Sequence, residues 1–386
     1  MRICRIIAVS LLGFVASPAL AEDDDKPIEL AAVETMDAIA TSAPAGKARA
    51  YWLNNLDLTA DADLDKLAGW QGGSVHVYVL DNVGGRPNDT AATLQGIDNI
   101  EVAHAHLRLF EAWVEQKIGR TSVRVGLYDL NSEFYSNDSA GLLIAPAFGV
   151  GSEIAATGPN GPSIFPSTAL AVRVDTQVGK AGYVRAALLG AKAGTLGDPG
   201  GVDFHFRNGG LAIVEAGFQG DAGKLGVGGW TYTDRQDDVR EVDGLGDPIQ
   251  RHAHGAYLIA EKPLNDPDKP RAAAAFVRLG ISDGQTTPFK GGWQAGVLVT
   301  KLWESRPDSQ LSFGMNQGYV ASGYRANLRD GGVRAARAET AFELTYSDKP
   351  AKWLTLQPDL QLVLAPGGDR GARPMVAGGI RITIEP

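Results

Sequence analysis

A rhythm of strands whose connections are sorted by length constrains this chain more than any other feature. From about Ala103 onward, ten-residue stretches with every second residue apolar are joined alternately by tight turns and long polar loops. The tight turns fall at 119–122, 179–181, 220–223 and 348–351, and the long connections at 130–167, 191–208, 234–252 and 320–336. A soluble β-sandwich has no reason to sort loop length by end. A bacterial outer-membrane barrel does, with short periplasmic turns, longer extracellular loops and strands that alternate apolar outward and polar inward. The reading is all-β, an antiparallel transmembrane barrel in the outer membrane, in contact with its lipid.

Alternation marks strands at 74–82, 102–118, 123–129, 168–178, 182–190, 210–219 and 224–233. Others follow at 253–262, 271–282, 292–303, 309–319, 337–347, 352–362 and 375–384, and 50–58 makes a fifteenth. Bacterial single-chain barrels have an even strand number, so parity asks for one more. Residues 28–40 are the candidate, as a first strand or as a short helix, and sixteen strands is the expectation. A longer connection, 59–73, has room for a short helix at 63–68 on the periplasmic side.

The start of the chain reads as a secretory signal peptide over residues 1–21, with the barrel filling 22–386. Arg2 and Arg5 form a positive n-region, residues 6–15 an apolar h-region and Ala19-Leu20-Ala21 a small-residue cleavage site. The single cysteine, Cys4, lies in that leader, so the remaining chain has no disulfide, thiolate metal site or nucleophilic thiol. Forty-eight glycines suit a Gly-rich sheet better than a helical bundle, and a net charge of −9 argues against a nucleic-acid partner, which needs a basic footprint.

Period-two facing decides which residues line the pore. Leu170, Val172 and Val174 share one face of their strand, with Arg173 and Asp175 on the other; Val123, Val125 and Leu127 oppose Arg124 and Tyr128. A cationic side chain turned to lipid at mid-depth costs roughly 2–4 kcal/mol, so the charged face points inward. The expected lumen then carries Arg124, Arg173, Arg185, Arg278, Arg337 and Arg381 with Glu215, Glu339 and Glu343. Guanidinium forks can hold paired hydroxyls and aromatic rings can pack on pyranose faces, with Tyr128, Trp113 and Trp230 the rings best placed.

Four segments go beyond periodicity. They are Gly126-Leu127-Tyr128-Asp129-Leu130-Asn131-Ser132-Glu133-Phe134, then Asn160-Gly161-Pro162-Ser163-Ile164-Phe165-Pro166, then Leu67-Ala68-Gly69-Trp70, and Gln357-Pro358-Asp359-Leu360-Gln361 ahead of Ala365-Pro366-Gly367-Gly368. In this order they resemble the OprB family of carbohydrate-selective porins, over about Ala50 to the end. The resemblance implies a sixteen-stranded barrel passing small carbohydrates passively through a narrow eyelet, with no cofactor. It also implies that Asp129, Asn131, Glu133 and Phe134 open the longest loop, which would bend inward to narrow the channel. Asn131 and Glu133 then either fasten that loop to the wall or touch the sugar. The candidate sugar contacts are Arg124, Tyr128, Asp129, Asn131, Glu133, Arg173, Arg185, Glu339 and Glu343.

Rival readings fare worse. His104/His106 and His252/His254 share strand spacing, but no nearby carboxylate–histidine cluster or cysteine supports a metal. No serine–histidine–carboxylate trio is identifiable for a membrane hydrolase, and Gly226, Gly228 and Gly229 precede no helix, so they form no nucleotide loop. A general or ion-preferring porin is the remaining alternative, and the sequence leaves homotrimer and monomer equally open.

Overall fold

The computed structural model describes residues 26–44 and 46–385, so the 1–21 leader lies outside the described residues. The wall begins with β1 (Ile28–Thr41), β2 (Arg49–Asp63), β3 (Gly73–Gly84), β4 (Leu107–Ile118), β5 (Thr121–Tyr128) and β6 (Ala169–Val178). It continues through β7 (Gly182–Gly190), β8 (Gly210–Gly220) and β9 (Gly223–Tyr232). A small separate hairpin follows, β10 (Gln236–Val242) on β11 (Pro248–Arg251). The wall then resumes with β12 (His254–Pro263), β13 (Ala272–Ser282), β14 (Phe289–Thr300), β15 (Gln310–Val320), β16 (Ala338–Ala351), β17 (Leu354–Leu364) and β18 (Met375–Ile384).

Sixteen strands pair antiparallel with their neighbours, and β1 bonds to β18 to close the barrel. Closure matters because a lipid-exposed sheet edge leaves backbone groups without partners. The segment 28–40 is therefore a strand, paired along its length with β2 and over its second half with β18. No helix among the described residues is long and apolar enough to cross a membrane.

The exposure pattern inverts that of a soluble protein. Val125 and Val172 are 51% and 47% exposed on the outer face, whereas Arg173 and Arg278 are 2% and 1% exposed on the inner one. Trp303 and Trp353 are exposed near the end that carries the short turns, and Trp52 near the other, where aromatic girdles belong. Connections sort as expected. Two-residue turns join β4 to β5 and β16 to β17, while 129–168, 191–209 and 321–337 all emerge at the opposite end. At the short-turn end, Asp63 caps the helix Leu64–Ala68, accepting from the Asp65 and Lys66 amides, and Gly69 at φ 67° closes it.

Several boundaries differ from the sequence reading, each for a local reason. The expected strand 102–118 begins only at Leu107, because Val102–His106 belongs to the preceding loop. A bulge between Tyr78 and Val79 then shifts the β3–β4 register. The expected 292–303 strand runs Phe289–Thr300, ending before Lys301 at φ 53°. Arg337 precedes β16 and is exposed at the long-loop end, so it is not part of the buried inner face. The long connections 234–252 and 320–336 also carry structure, the β10–β11 hairpin and a helix, Ser322–Asp330.

Candidate functional site

The lumen is not an empty tube. After β5 the chain turns inward: Asp129 accepts from the Asn131 amide at 2.8 Å to start a tight turn, and its own amide donates to Glu111 at 2.9 Å. Asn131 then donates to the Phe134 and Gly149 carbonyls at 3.2 and 3.3 Å. The loop crosses the barrel interior, fastened by inward side chains of strands spread around the wall. Lys224 donates to the Ser136 carbonyl at 2.6 Å, and Glu215 accepts from the Tyr135 amide at 3.0 Å. Arg278 donates to the carbonyls of Tyr135 and Gly149 at 3.0 and 2.9 Å and to that of Phe148. Glu343 accepts from the Ile144 and Ala145 amides, and Gln357 reaches the Leu142 carbonyl at 2.7 Å.

Glycines on the inner face make this insertion sterically feasible. A Cβ at Gly280 would lie 1.8 Å from Glu153 Oε1, and one at Gly314 would lie 2.6 Å from the Phe148 ring. The loop's Phe134, Tyr135 and Ile154 pack with Leu189, Leu211, Trp230 and Tyr257 of the wall as one buried cluster.

A second loop, 85–106, also folds inward, and the sequence reading did not foresee it. Glu339 accepts from the Leu94 and Gln95 amides at 2.9 and 3.0 Å and from Gly367 at 2.8 Å. Gln361 donates to the Ile97 carbonyl at 2.8 Å, and Arg381 binds Asn99 at 2.7 Å while paired with Asp37 at 2.6 Å. The two loops meet where Ser152 donates to Gln95 at 3.0 Å and Gly96 packs on Pro146. The stretch 83–101 between the expected strands, 19 residues without alternation, is the available signal, since loops beyond about 12–15 residues are usually functional or disordered.

The loops divide the interior. Towards the long-loop end lies a vestibule of about 720 Å³ between 101–108, 155–167 and 192–208. A smaller cavity of about 270 Å³ runs on from it between Arg86, Asp98, Glu101 and Pro146. At the short-turn end a cavity of about 470 Å³ is bordered by Glu29, Asp61, Asp63 and Glu115.

Glu115 at the border of this last cavity belongs to a ladder of alternating charge. Arg124 and Arg173 are register partners on β5 and β6. Glu115 sits between them, 3.1 Å from Arg124 Nη2 and 2.6 Å from Arg173 Nη2. Arg173 also donates to Glu133 at 2.8 Å and to Ser122 at 2.6 Å. Its Nε lies 2.7 Å from Glu133 Oε2, an ion contact without hydrogen-bond alignment. Tyr128 donates to Glu133, and Arg185 pairs with Asp175 at 3.0 Å while holding the Glu133 carbonyl at 2.5 Å. The carboxylates are the more open members. The Glu115 and Asp175 side chains are 20% and 26% exposed, against 2% for Arg173.

Of the candidate residues, Arg124, Tyr128, Glu133, Arg173 and Arg185 thus form one constellation. Asp129 and Asn131 shape the turn beside it. Glu339 and Glu343 stand on β16, across the barrel from β5, with both carboxylates engaged by loop amides. Glu115, which joins the two arginines, was not among the candidates, although it shares the inward face with Trp113. The rings are wall elements. Tyr128 and Trp230 are buried, and Trp113 stacks on His76 at 5.0 Å while the Arg124 guanidinium lies 3.6 Å from its centroid. Among the described residues no cluster of three or more metal-ligating side chains is gathered.

Comparison with known proteins agrees with this architecture. Residues 48–385 match the carbohydrate-selective porin, OprB family. Porin B of Pseudomonas aeruginosa is 24% identical over 183 residues, 42% of this chain and 40% of that protein's length. The high-pH structure of Pseudomonas putida OprB superposes with a TM-score of 0.83 at 20% identity over 94% of both chains. An anion-selective porin from Comamonas acidovorans has a TM-score of 0.56 at 10% identity, covering 93% of this chain and 99% of that one. Those structures share the fold; the family match over nearly the whole length goes further, and this chain belongs to the OprB family of carbohydrate-selective porins.

Proposed function

We propose that the protein is a passive channel through the outer membrane for mono- or small oligosaccharides, acting without a cofactor and without chemistry on its solute. The observation that carries this reading is the pair of inward loops, which meet at Gln95–Ser152 and Gly96–Pro146. In this reading they narrow the lumen to a restricted passage bordered by both hydrogen-bond donors and acceptors. A neutral polyhydroxylated solute exchanges water for such groups without the desolvation cost of an ion.

In this reading the Glu115–Arg124–Arg173–Glu133 ladder is the wall against which sugar hydroxyls exchange partners. The open carboxylates accept, and the arginines behind them set the carboxylates' orientation. Binding stays weak, because a site that holds its solute tightly does not release it. A general ion-preferring porin is the second reading, favoured by the carboxylate excess at the short-turn cavity. Liposome swelling with a panel of neutral sugars separates the two. Swelling that differs among sugars of equal size supports carbohydrate selectivity; rates that follow size alone make the channel general.

A further inference from the structure

The outer vestibule carries a charge pattern that the sugar reading does not use. Its cations are Arg108, Lys192 and Arg207, and its carboxylates are Glu101, Asp198 and Asp203. These balance. The same wall holds three of the chain's six histidines, His104, His106 and His205. They come from 101–108 and 192–208, while the third lining segment, 155–167, contributes no ionisable side chain. Histidine is the side chain whose charge changes between pH 5 and 8.

The opposite cavity is built differently. Lys26, Lys66 and Lys117 face Glu29, Asp61, Asp63, Asp65 and Glu115, with no histidine in its lining. His76 touches that side through Asp61 at 2.7 Å, with its side chain 5% exposed.

We propose that the outer vestibule is a capture site for sugars carrying a carboxylate or phosphate, strengthened as its three histidines take up protons. A sphere of the vestibule's volume, about 720 Å³, has a radius of roughly 6 Å, inside the ~10 Å Debye length at 0.1 M salt. Each proton gained on the wall is therefore felt throughout the space. His104 and His205 are exposed to it. His106 lies between opposing neighbours, 2.9 Å from Asp198 Oδ1 and 3.0 Å from Arg108 Nη2. Glu101 acts in the same direction: burial pushes its carboxyl up to about 6, so the wall loses a negative charge as the histidines gain positive ones. The result is an anion-attracting outer mouth facing a cation-attracting inner one, which makes conduction direction-dependent in acid.

The test is reversal potential in a potassium chloride gradient across planar bilayers, at about pH 7.5 and about pH 5, with liposome swelling in glucose and gluconate alongside. The chloride-to-potassium permeability ratio should rise about threefold or more on acidification, and gluconate flux should rise relative to glucose. The triple variant His104→Asn/His106→Asn/His205→Asn should lose most of that rise while keeping wild-type glucose flux. The exposed pair alone, His104→Asn/His205→Asn, should lose a substantial part and leaves the His106–Asp198 contact intact. A wild-type ratio indifferent to pH, or a triple variant with the full response, overturns the proposal. A channel that passes chloride and gluconate but no neutral sugar refutes the carbohydrate reading and leaves this one standing.

Discussion

At the scale of single residues, the inward arginines act through their partners. Arg173 faces Glu115, Glu133 and Ser122 with its side chain 2% exposed, so Arg173→Ala leaves two carboxylates without their shared cation. Breaking a buried pair in this way costs about 3–5 kcal/mol, and chemical denaturation of the folded barrel should read that loss. Arg124 shares Glu115 with Arg173, so Arg124→Ala should cost clearly less stability. It should weaken sugar block of ion current by tenfold at most, about 1.4 kcal/mol. Facing gives a sharper contrast. Val172→Arg turns a cation to lipid at a cost of roughly 2–4 kcal/mol, whereas Asp61→Arg, on a side chain 54% exposed on the lumen side, should leave the barrel folded. Equal folding defects in the two would overturn the assigned faces. Ala171 shows where alternation alone falls short: it does point inward beside Arg173, but the folded-in loop buries it, so its neighbourhood is packed rather than wet.

At the scale of elements, the barrel wall and its two inward loops obey different rules. The wall follows from alternation, and thirteen of its sixteen strands are legible with shifts of four residues or less at their ends, while β2 runs five residues past the expected Leu58, to Asp63. The β4 start was misplaced by five residues because Val102–His106 mimics a strand face without pairing, and the first strand was legible only through parity. The loops are held by long-range contacts. Gly314→Val should collide with Leu143 and Phe148, since even a Cβ there lies 2.6 Å from each. Overpacking of this kind costs about 1–3 kcal/mol. The strand pairing should persist, and the displaced loop should show as faster proteolysis within 130–167 and noisier single-channel current. Removing residues 145–160 should raise conductance and reduce discrimination among sugars; an unchanged channel would take this loop out of the permeation path. Glu339→Ala should release the second loop separately, because it deprives the Leu94, Gln95 and Gly367 amides of their acceptor.

For the molecule as a whole, two meeting loops separate the outer cavities from the one at the short-turn end, and the selectivity proposed above belongs to that partition. A double change, Glu339→Ala with the 145–160 deletion, should therefore raise the size limit for sugar swelling more than either change alone, because both sides of the partition are removed. Conductance no greater than that of the deletion alone would place the 85–106 loop outside the constriction. The fold class, the strand count, the inward and outward faces and the sorting of turns by end are all legible in the chain alone. Each is a consequence of local periodicity, of tight-turn residues and of lipid's intolerance of charge, all of which act within a strand or between neighbours. Equally legible are Arg124, Tyr128, Arg173 and Arg185, which alternation places on β5 to β7, and Glu133, which the motif places in the loop after β5. Long-range packing is what makes Glu115 bridge the arginines, Glu339 and Glu343 hold loops, and a second loop enter the lumen. Those outcomes depend on contacts between residues up to more than two hundred positions apart, such as Leu94 with Glu339. They depend too on the room that inward glycines leave, and no local pattern in the chain records either.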